Sequence, residues 1–341
     1  MEKSSPKPFN VHIFGAHLDK DSQSLIYDNL KDLIPKNVHI IFIKDSLDED
    51  KLALIKGADA LVCTVRDKLD AKILEEVAKN GIKLIVMRAL NCNNVDLETA
   101  KKLKIQVANC PFYTPEAIAE HAIALLMTVN RRIHKAYNRV REDNFELDGL
   151  LGIDLHGKTM GILGFGKVGR IVARISLGFG MKVLVYDKVV KNEENLIVEF
   201  ASLDDVLSKS DVVSLHLNEN PETIHIINEK TIAKMKDNAF LINTARGTLI
   251  KSEDLLKALL QGKFSGVGLD VYEDKYEVFF RNLGGETLMD DTLARLITIP
   301  KVLITCRQGC WTKENIILMF ETIFKNLRAY CETGKVLNPV Y

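Results

Sequence analysis

The segment TMGILGFGKVG, residues 159–169, decides the fold of this chain. After Thr159 the run Met160–Leu163 carries no polar side chain, as suits a strand buried on both faces. Gly164, Gly166 and Gly169 then lead directly into an amphipathic helical pattern. Each glycine has a physical task at this spacing. The first makes the tight turn, the second lets a pyrophosphate approach the backbone, and the third lets helix and strand pack closely. The helix start offers unpaired N–H groups and a partial positive charge to the phosphates. The next apolar run, 182–186, ends in Asp187, which can accept hydrogen bonds from an adenosine ribose and repels a 2′-phosphate. The unit predicts a Rossmann-type cofactor domain that takes NAD(H) in preference to NADP(H).

Outward from this segment the same alternation repeats. Apolar runs at 11–15, 38–43, 60–63 and 83–87 precede it, and others at 211–215, 239–242, 266–269 and 302–304 follow, with helix-length stretches between. Strands of this kind separated by helices predict an α/β protein of two doubly wound parallel-sheet domains. A chain of 341 residues also exceeds what one core ordinarily serves. Thr114 before Pro115 and Glu116 opens a long helical pattern over 114–141, and a second, 313–332, closes before Gly334. These read as the crossings between a domain of 1–112 with 306–341 and a cofactor domain of 113–305. The basic run 131–141 reads as a solvated helix face or a domain seam.

Lys plus Arg and Asp plus Glu both total 46, so the net charge is zero and the basic surplus of a nucleic-acid binder is missing. Apolar residues at 47% and charged residues at 27% fit a folded globular chain. No apolar run reaches the roughly 20 residues of a membrane helix. The opening MEKSSPKPFN lacks the apolar centre of a signal peptide, so a cytoplasmic protein is expected. The six cysteines show no C-x-x-C pair; Cys306 and Cys310 lack a companion pair, so no metal site and no disulfide is expected.

MRALNCNNVDLETAKKL (87–103), CPFYTPEAIAEHAIALLMTVNRRIHKAYNRVREDNF (110–145), GKTMGILGFGKVG (157–169), INTARGTLI (242–250), GVGLDVYEDKYEVFF (266–280) and VLITCRQGCWTKE (302–314) together resemble the D-isomer-specific 2-hydroxyacid dehydrogenases. Within that family they look most like the fermentative D-lactate dehydrogenases. The likeness runs from about Val11 to Pro339. It implies a flavodoxin-like substrate domain beside the cofactor domain, and hydride exchange between NAD and C2 of a small 2-oxo or 2-hydroxy acid. It also implies a homodimer paired through cofactor domains, with the Thr114 helix at the seam. By resemblance Arg246 binds and polarises the substrate, and Asp270 lies beside the nicotinamide amide. Lys167 and Val168 meet the pyrophosphate, Thr244 adjoins the cofactor, Leu217 and Asn218 line its adenosine side, and Tyr113 faces the substrate. Asn218 stands where the family usually has Pro.

Three positions depart from the family pattern. Lys275 stands where a Glu is expected, and Arg307 where a His is expected as proton donor. Leu90 and Asn91 stand where the family has an Ala-Gly turn whose N–H groups bind the substrate carboxylate, so the glycine is missing here. Arginine keeps its proton up to a pH above about 12, so it cannot serve as general acid or base at neutral pH. Losing acid–base help costs about 10²- to 10⁴-fold in rate. The expectation is therefore an NAD(H)-binding member with severely reduced or lost lactate and pyruvate activity. A cationic cluster of Arg246, Lys275 and Arg307 would suit a small anion. The alternative is an active D-lactate or other D-2-hydroxyacid dehydrogenase, rescued by Glu273, Glu277 or a proton-shuttling Lys275. A third reading, an NAD(H)-controlled scaffold, has no motif behind it. Of the eight histidines none is near Arg307 in sequence, and His121, His134 and His216 read as structural.

Overall fold

The computed structural model describes residues 7–15, 18, 20–190, 195–273, 278–279 and 282–341. The chain divides into two units, Met1–Thr114 with Trp311–Tyr341, and Pro115–Cys310.

The first unit holds five parallel strands, β1 (Phe9–Ile13), β2 (Val38–Phe42), β3 (Ala60–Cys63), β4 (Leu84–Met87) and β5 (Gln106–Ala108), in the order β2-β1-β3-β4-β5. Because side chains alternate along a strand, each apolar run supplies both faces. Val62, Leu84 and Val86 pack with Phe320, Ile323, Phe324 and Leu327 of the helix Lys313–Thr333. Leu61, Cys63, Ile85 and Met87 pack instead with Ile73, Leu74 and Val77 of the helix Ala71–Lys79. The long helix is stopped by Gly334, whose φ of 73° suits a left-handed cap.

The second unit holds seven parallel strands, β6 (Thr159–Leu163), β7 (Lys182–Tyr186), β8 (Glu199–Phe200), β9 (Val212–Leu215), β10 (Ala239–Asn243), β11 (Phe264–Leu269) and β12 (Val302–Ile304). Their order, β12-β11-β10-β9-β6-β7-β8, reverses direction between β6 and β9. The glycine turn after β6 therefore opens at the topological switch point, where doubly wound sheets bind ligands. Among the described residues no helix is long and apolar enough to cross a membrane.

Three differences from the sequence expectations have physical causes. The sheets contain two further strands, β5 and β8, both short edge strands without the apolar run that marks a central strand. The helical pattern 114–141 is two helices, Pro115–Arg131 and Ile133–Val140, because Arg132 adopts a left-handed φ of 53°. Its buried guanidinium explains the break, donating to Val129 O and Ser265 O at 2.7 Å each. Finally, 306–310 falls in the second unit rather than the first, because Asp270 holds that turn through bonds described next.

Candidate active site

The three glycines after β6 divide their tasks as their surroundings dictate. Gly164 has φ +101°, and a Cβ there would stand 2.7 Å from the backbone of His216. A Cβ on Gly169 would stand 2.0 Å from Gly164 O, so this glycine is the packing contact. Gly166 is different: nothing lies within 4 Å of where its Cβ would be. It is the N-cap of the helix Lys167–Gly178 and supplies no side-chain cap, which leaves the first N–H groups open to a ligand. Lys167 is exposed and Val168 half-buried in that first turn.

A cavity of about 240 Å³ adjoins the turn, lined by Gly164, Gly166, Asp187, His216, Leu217 and Asn218 among others. The Asp187 carboxylate is fixed by two backbone donors, Phe165 N–H at 2.6 Å and Val189 N–H at 2.9 Å. His216 shares a hydrogen bond with Ser214 Oγ at 2.8 Å, while its buried Nδ1 has no partner among the described residues. Burial pushes the His216 pKa down to about 3, so the ring is neutral here. An open helix start, a held carboxylate and an unpartnered ring nitrogen around one cavity fit a dinucleotide.

The second cluster forms at the carboxyl ends of β10, β11 and β12. Asn243 shapes the turn after β10, donating from Nδ2 to Arg246 O at 2.8 Å and accepting from Ala245 N–H at 3.0 Å. Gly247 is obligatory there, since a Cβ would lie 1.9 Å from Tyr272 O. The turn exposes Arg246 and buries Thr244, whose hydroxyl has no partner among the described residues.

Asp270, 3% exposed, is the hub. Its Oδ1 accepts from Thr305 Oγ1 at 2.6 Å and from Gln308 N–H at 2.9 Å, and lies 3.2 Å from His121 Nε2. Its Oδ2 accepts from Gly309 N–H at 2.8 Å. Burial alone would raise the Asp270 pKa, but the bonds from His121, Thr305 and Gly309 outweigh it and hold the carboxyl below its usual range. The turn so anchored presents Arg307, exposed and in the left-handed region at φ 59°. Arg246 and Arg307 both act on the Cys310 thiol. Cys310 is exposed as a residue, but desolvation of its thiol, reinforced by Asp270, outweighs the two arginines and raises its pKa.

Arg246, Asp270 and Arg307 thus share one neighbourhood, whereas Lys275 and Glu277 lie outside the described residues. Glu273 does not turn toward the cluster as a stand-in carboxylate. Its Oε2 accepts from Ser252 N–H at 2.9 Å and its Oε1 pairs with His225 Nε2 at 2.6 Å. The sequence reading missed His121, which reaches Asp270 and Thr305 from the helix Pro115–Arg131, and it missed the His225–Glu273 pair. No local spacing signals either. In the first unit Leu90 and Asn91 are exposed and line an open depression with Asn109, whose Nδ2 donates to Leu90 O at 2.7 Å. Tyr113 is half-buried in that unit. Among the described residues no group of His, Cys, Asp and Glu could hold a metal.

Residues 123–309 match the NAD-binding domain of the D-isomer-specific 2-hydroxyacid dehydrogenases. A D-lactate dehydrogenase of Curvularia clavata is 40% identical over 323 residues, covering 95% of this chain and 90% of the relative. The solved pyruvate reductase of Chlamydomonas reinhardtii is similar with a TM-score of 0.89 and 33% identity, over 97% of this chain and 98% of that one. The Lactobacillus jensenii D-lactate dehydrogenase, solved with NAD+, is similar with a TM-score of 0.80 and 28% identity, over 98% of this chain and all of that one (100%).

Gly166→Val should keep stability within about 1 kcal/mol, because its Cβ meets nothing, yet weaken NADH binding roughly tenfold or more by filling the phosphate approach. Gly169→Val should cost about 3 kcal/mol or more in thermal or urea unfolding, whatever the cofactor. Asp270→Asn should lose about 1–3 kcal/mol at pH 7. A carboxyl with a depressed folded pKa stabilises above its unfolded value, about 3.9, and that contribution fades as pH falls through the folded pKa. The gap between parent and variant in urea titrations should therefore close below about pH 4.

Proposed function

This chain belongs to the D-isomer-specific 2-hydroxyacid dehydrogenase family, its second unit being the NAD-binding domain, and we propose that it moves hydride between NAD(H) and a small D-2-hydroxy or 2-oxo acid, slowly. What supports the reading is the match of residues 123–309 to the family's NAD-binding domain, together with the Asp270-held turn that carries an arginine at 307. NAD(H), when bound, supplies or accepts the hydride. Gly166 and the first turn of its helix hold the pyrophosphate, and Asp187 takes the ribose hydroxyls. Arg246, exposed on its turn, binds the acid and polarises the C2 carbonyl, so that negative charge developing on the oxygen is stabilised. Arg307 adds positive charge but no proton, which must then come from water or from Lys275. Without an imidazole at position 307 the rate is expected to fall about 10²- to 10⁴-fold below that of a complete acid–base pair.

A second reading, an NAD(H)-dependent binder of small anions without turnover, is favoured by Arg246 and Arg307, whose charges both reach the Cys310 thiol. Pyruvate reduction separates the two. Slow turnover, below about 1 s⁻¹, is expected of the parent, and no NADH oxidation at all favours the binder. Lys275→Glu combined with Arg307→His should then gain about 10²- to 10⁴-fold. Parent turnover well above 1 s⁻¹ would show that protons move by another route.

The partner is a second copy of the chain. Ile133, Tyr137 and Val140, spaced to share one face of the helix Ile133–Val140, are exposed, and Phe145, Leu147 and Leu151 follow, the last 91% exposed. An apolar face of this extent is characteristic of a covered surface. Tyr137→Glu with Leu151→Glu should halve the mass seen by light scattering. An unchanged mass would place the pairing elsewhere.

A further inference from the structure

The turn after β4 lacks the family's glycine, yet its backbone is held from one side by a side chain outside the turn. Neither Leu90 nor Asn91 adopts a left-handed φ, so residues with side chains fit there without strain. Cys110 N–H, two residues past β5, donates to Ala89 O at 3.0 Å. Asn109 Nδ2 donates to the next carbonyl, Leu90 O, at 2.7 Å. A backbone donor and a side-chain amide thus take two carbonyls in succession.

These two bonds fix two consecutive peptide planes. A trans peptide is planar, with its carbonyl and its N–H on opposite sides. With Ala89 O and Leu90 O both drawn toward 109–110, Leu90 N–H and Asn91 N–H are turned the other way. Among the described residues neither N–H has an acceptor. Successive N–H groups turned to one side form a concavity that suits an anion.

Asn109 is itself secured. Its N–H donates to Asn338 O at 3.1 Å, in a segment that runs antiparallel along the outer edge of β5. Val340 N–H donates to Val107 O at 3.0 Å in the same pairing. Asn326, fully buried on the helix Lys313–Thr333, fastens that segment. Its Oδ1 accepts from Leu337 N–H at 2.9 Å and from Asn338 N–H at 3.0 Å, and its Nδ2 donates to Asn338 Oδ1 at 3.0 Å. Asn109 therefore stands between a fastened edge and the turn, with its amide already aimed at Leu90 O.

We propose that Asn109 is a positioning residue for the acid: by holding Leu90 O it directs Asn91 N–H, beside Leu90 N–H, at the carboxylate of a 2-oxo acid. The inference rests on the function proposed above, with the Leu90–Asn91 turn at the acid's carboxylate as the family resemblance implies. Asn109 acts through the turn and does not touch the acid. Without its amide the plane between residues 90 and 91 is free to rotate, and the anion meets one directed donor in place of two. Hydrogen bonds to an ionised acceptor are about twice as strong as neutral ones, so the loss falls on acid affinity. The cofactor, held by the second unit, is unaffected.

The test uses the full chain loaded with NADH and titrated calorimetrically with oxamate, an unreactive analogue of pyruvate with an amide in place of the methyl group. The parent is expected to bind more tightly than about 10 mM. Asn109→Leu, close in shape but without a donor, and Asn109→Ala should each weaken oxamate about tenfold. NADH affinity should stay within about twofold, a split that general loss of structure would not produce. Deuterium uptake over residues 88–97 should be faster in both variants than in the parent. Unchanged oxamate affinity in both variants overturns the proposal, whether or not the turn exchanges faster. Weaker oxamate binding with unchanged exchange overturns it too, because Asn109 would then meet the acid directly. Failure of the NADH-loaded parent to bind oxamate instead removes the acid, and with it the function on which the proposal rests.

Discussion

The second unit depends on one buried carboxylate. Asp270 directly follows β11 and is bonded to Thr305, Gln308 and Gly309, which follow β12, and to His121 on the helix Pro115–Arg131. Parallel strands need long crossovers, so nothing in the sheet itself fixes how the loops at adjacent strand ends are oriented. Asp270 does so by pulling three elements onto one charge. It is also why the turn 305–309 belongs with the cofactor unit. The four bonds keep the carboxylate ionised although it is buried, and an ionised acceptor makes stronger hydrogen bonds than a neutral one.

The rest of the site divides between what must be rigid and what must be open. Gly164, Gly169 and Gly247 are places where backbone meets backbone too closely for any side chain. Gly166 is the one in this group with space beside it, and it is where a phosphate would come. The same residue type therefore serves packing at three positions and access at the fourth, a distinction set by surroundings and not by the motif.

How much of this is legible in the sequence follows from how local each signal is. The strands Ala60–Cys63, Thr159–Leu163 and Lys182–Tyr186 match the apolar runs residue for residue, because a central parallel strand must be largely apolar on both faces. Edge strands carry no such requirement, so Gln106–Ala108 and Glu199–Phe200 left no trace. The glycine turn and Asp187 are readable because the turn, the helix start and the next strand are consecutive in the chain. His121 and Asp270 lie 149 positions apart, and His225 and Glu273 lie 48 apart; only the winding of the sheet brings each pair together. Arg132 looks like one more cation on a basic helix, and the carbonyl groups that bury it come in part from β11.

The left-handed backbone at Arg307 has a consequence for how such a chain can change over generations. That conformation is disfavoured for nearly every residue with a side chain, and here it is imposed by bonds made at 305, 308 and 309, not by 307 itself. The side chain at 307 is exposed, so exchanging one non-glycine residue for another there alters little of what holds the turn in place. The backbone course of this turn and the side chain that it carries are then set by different residues. Position 307 can therefore pass from one non-glycine residue to another without going through an unfolded intermediate.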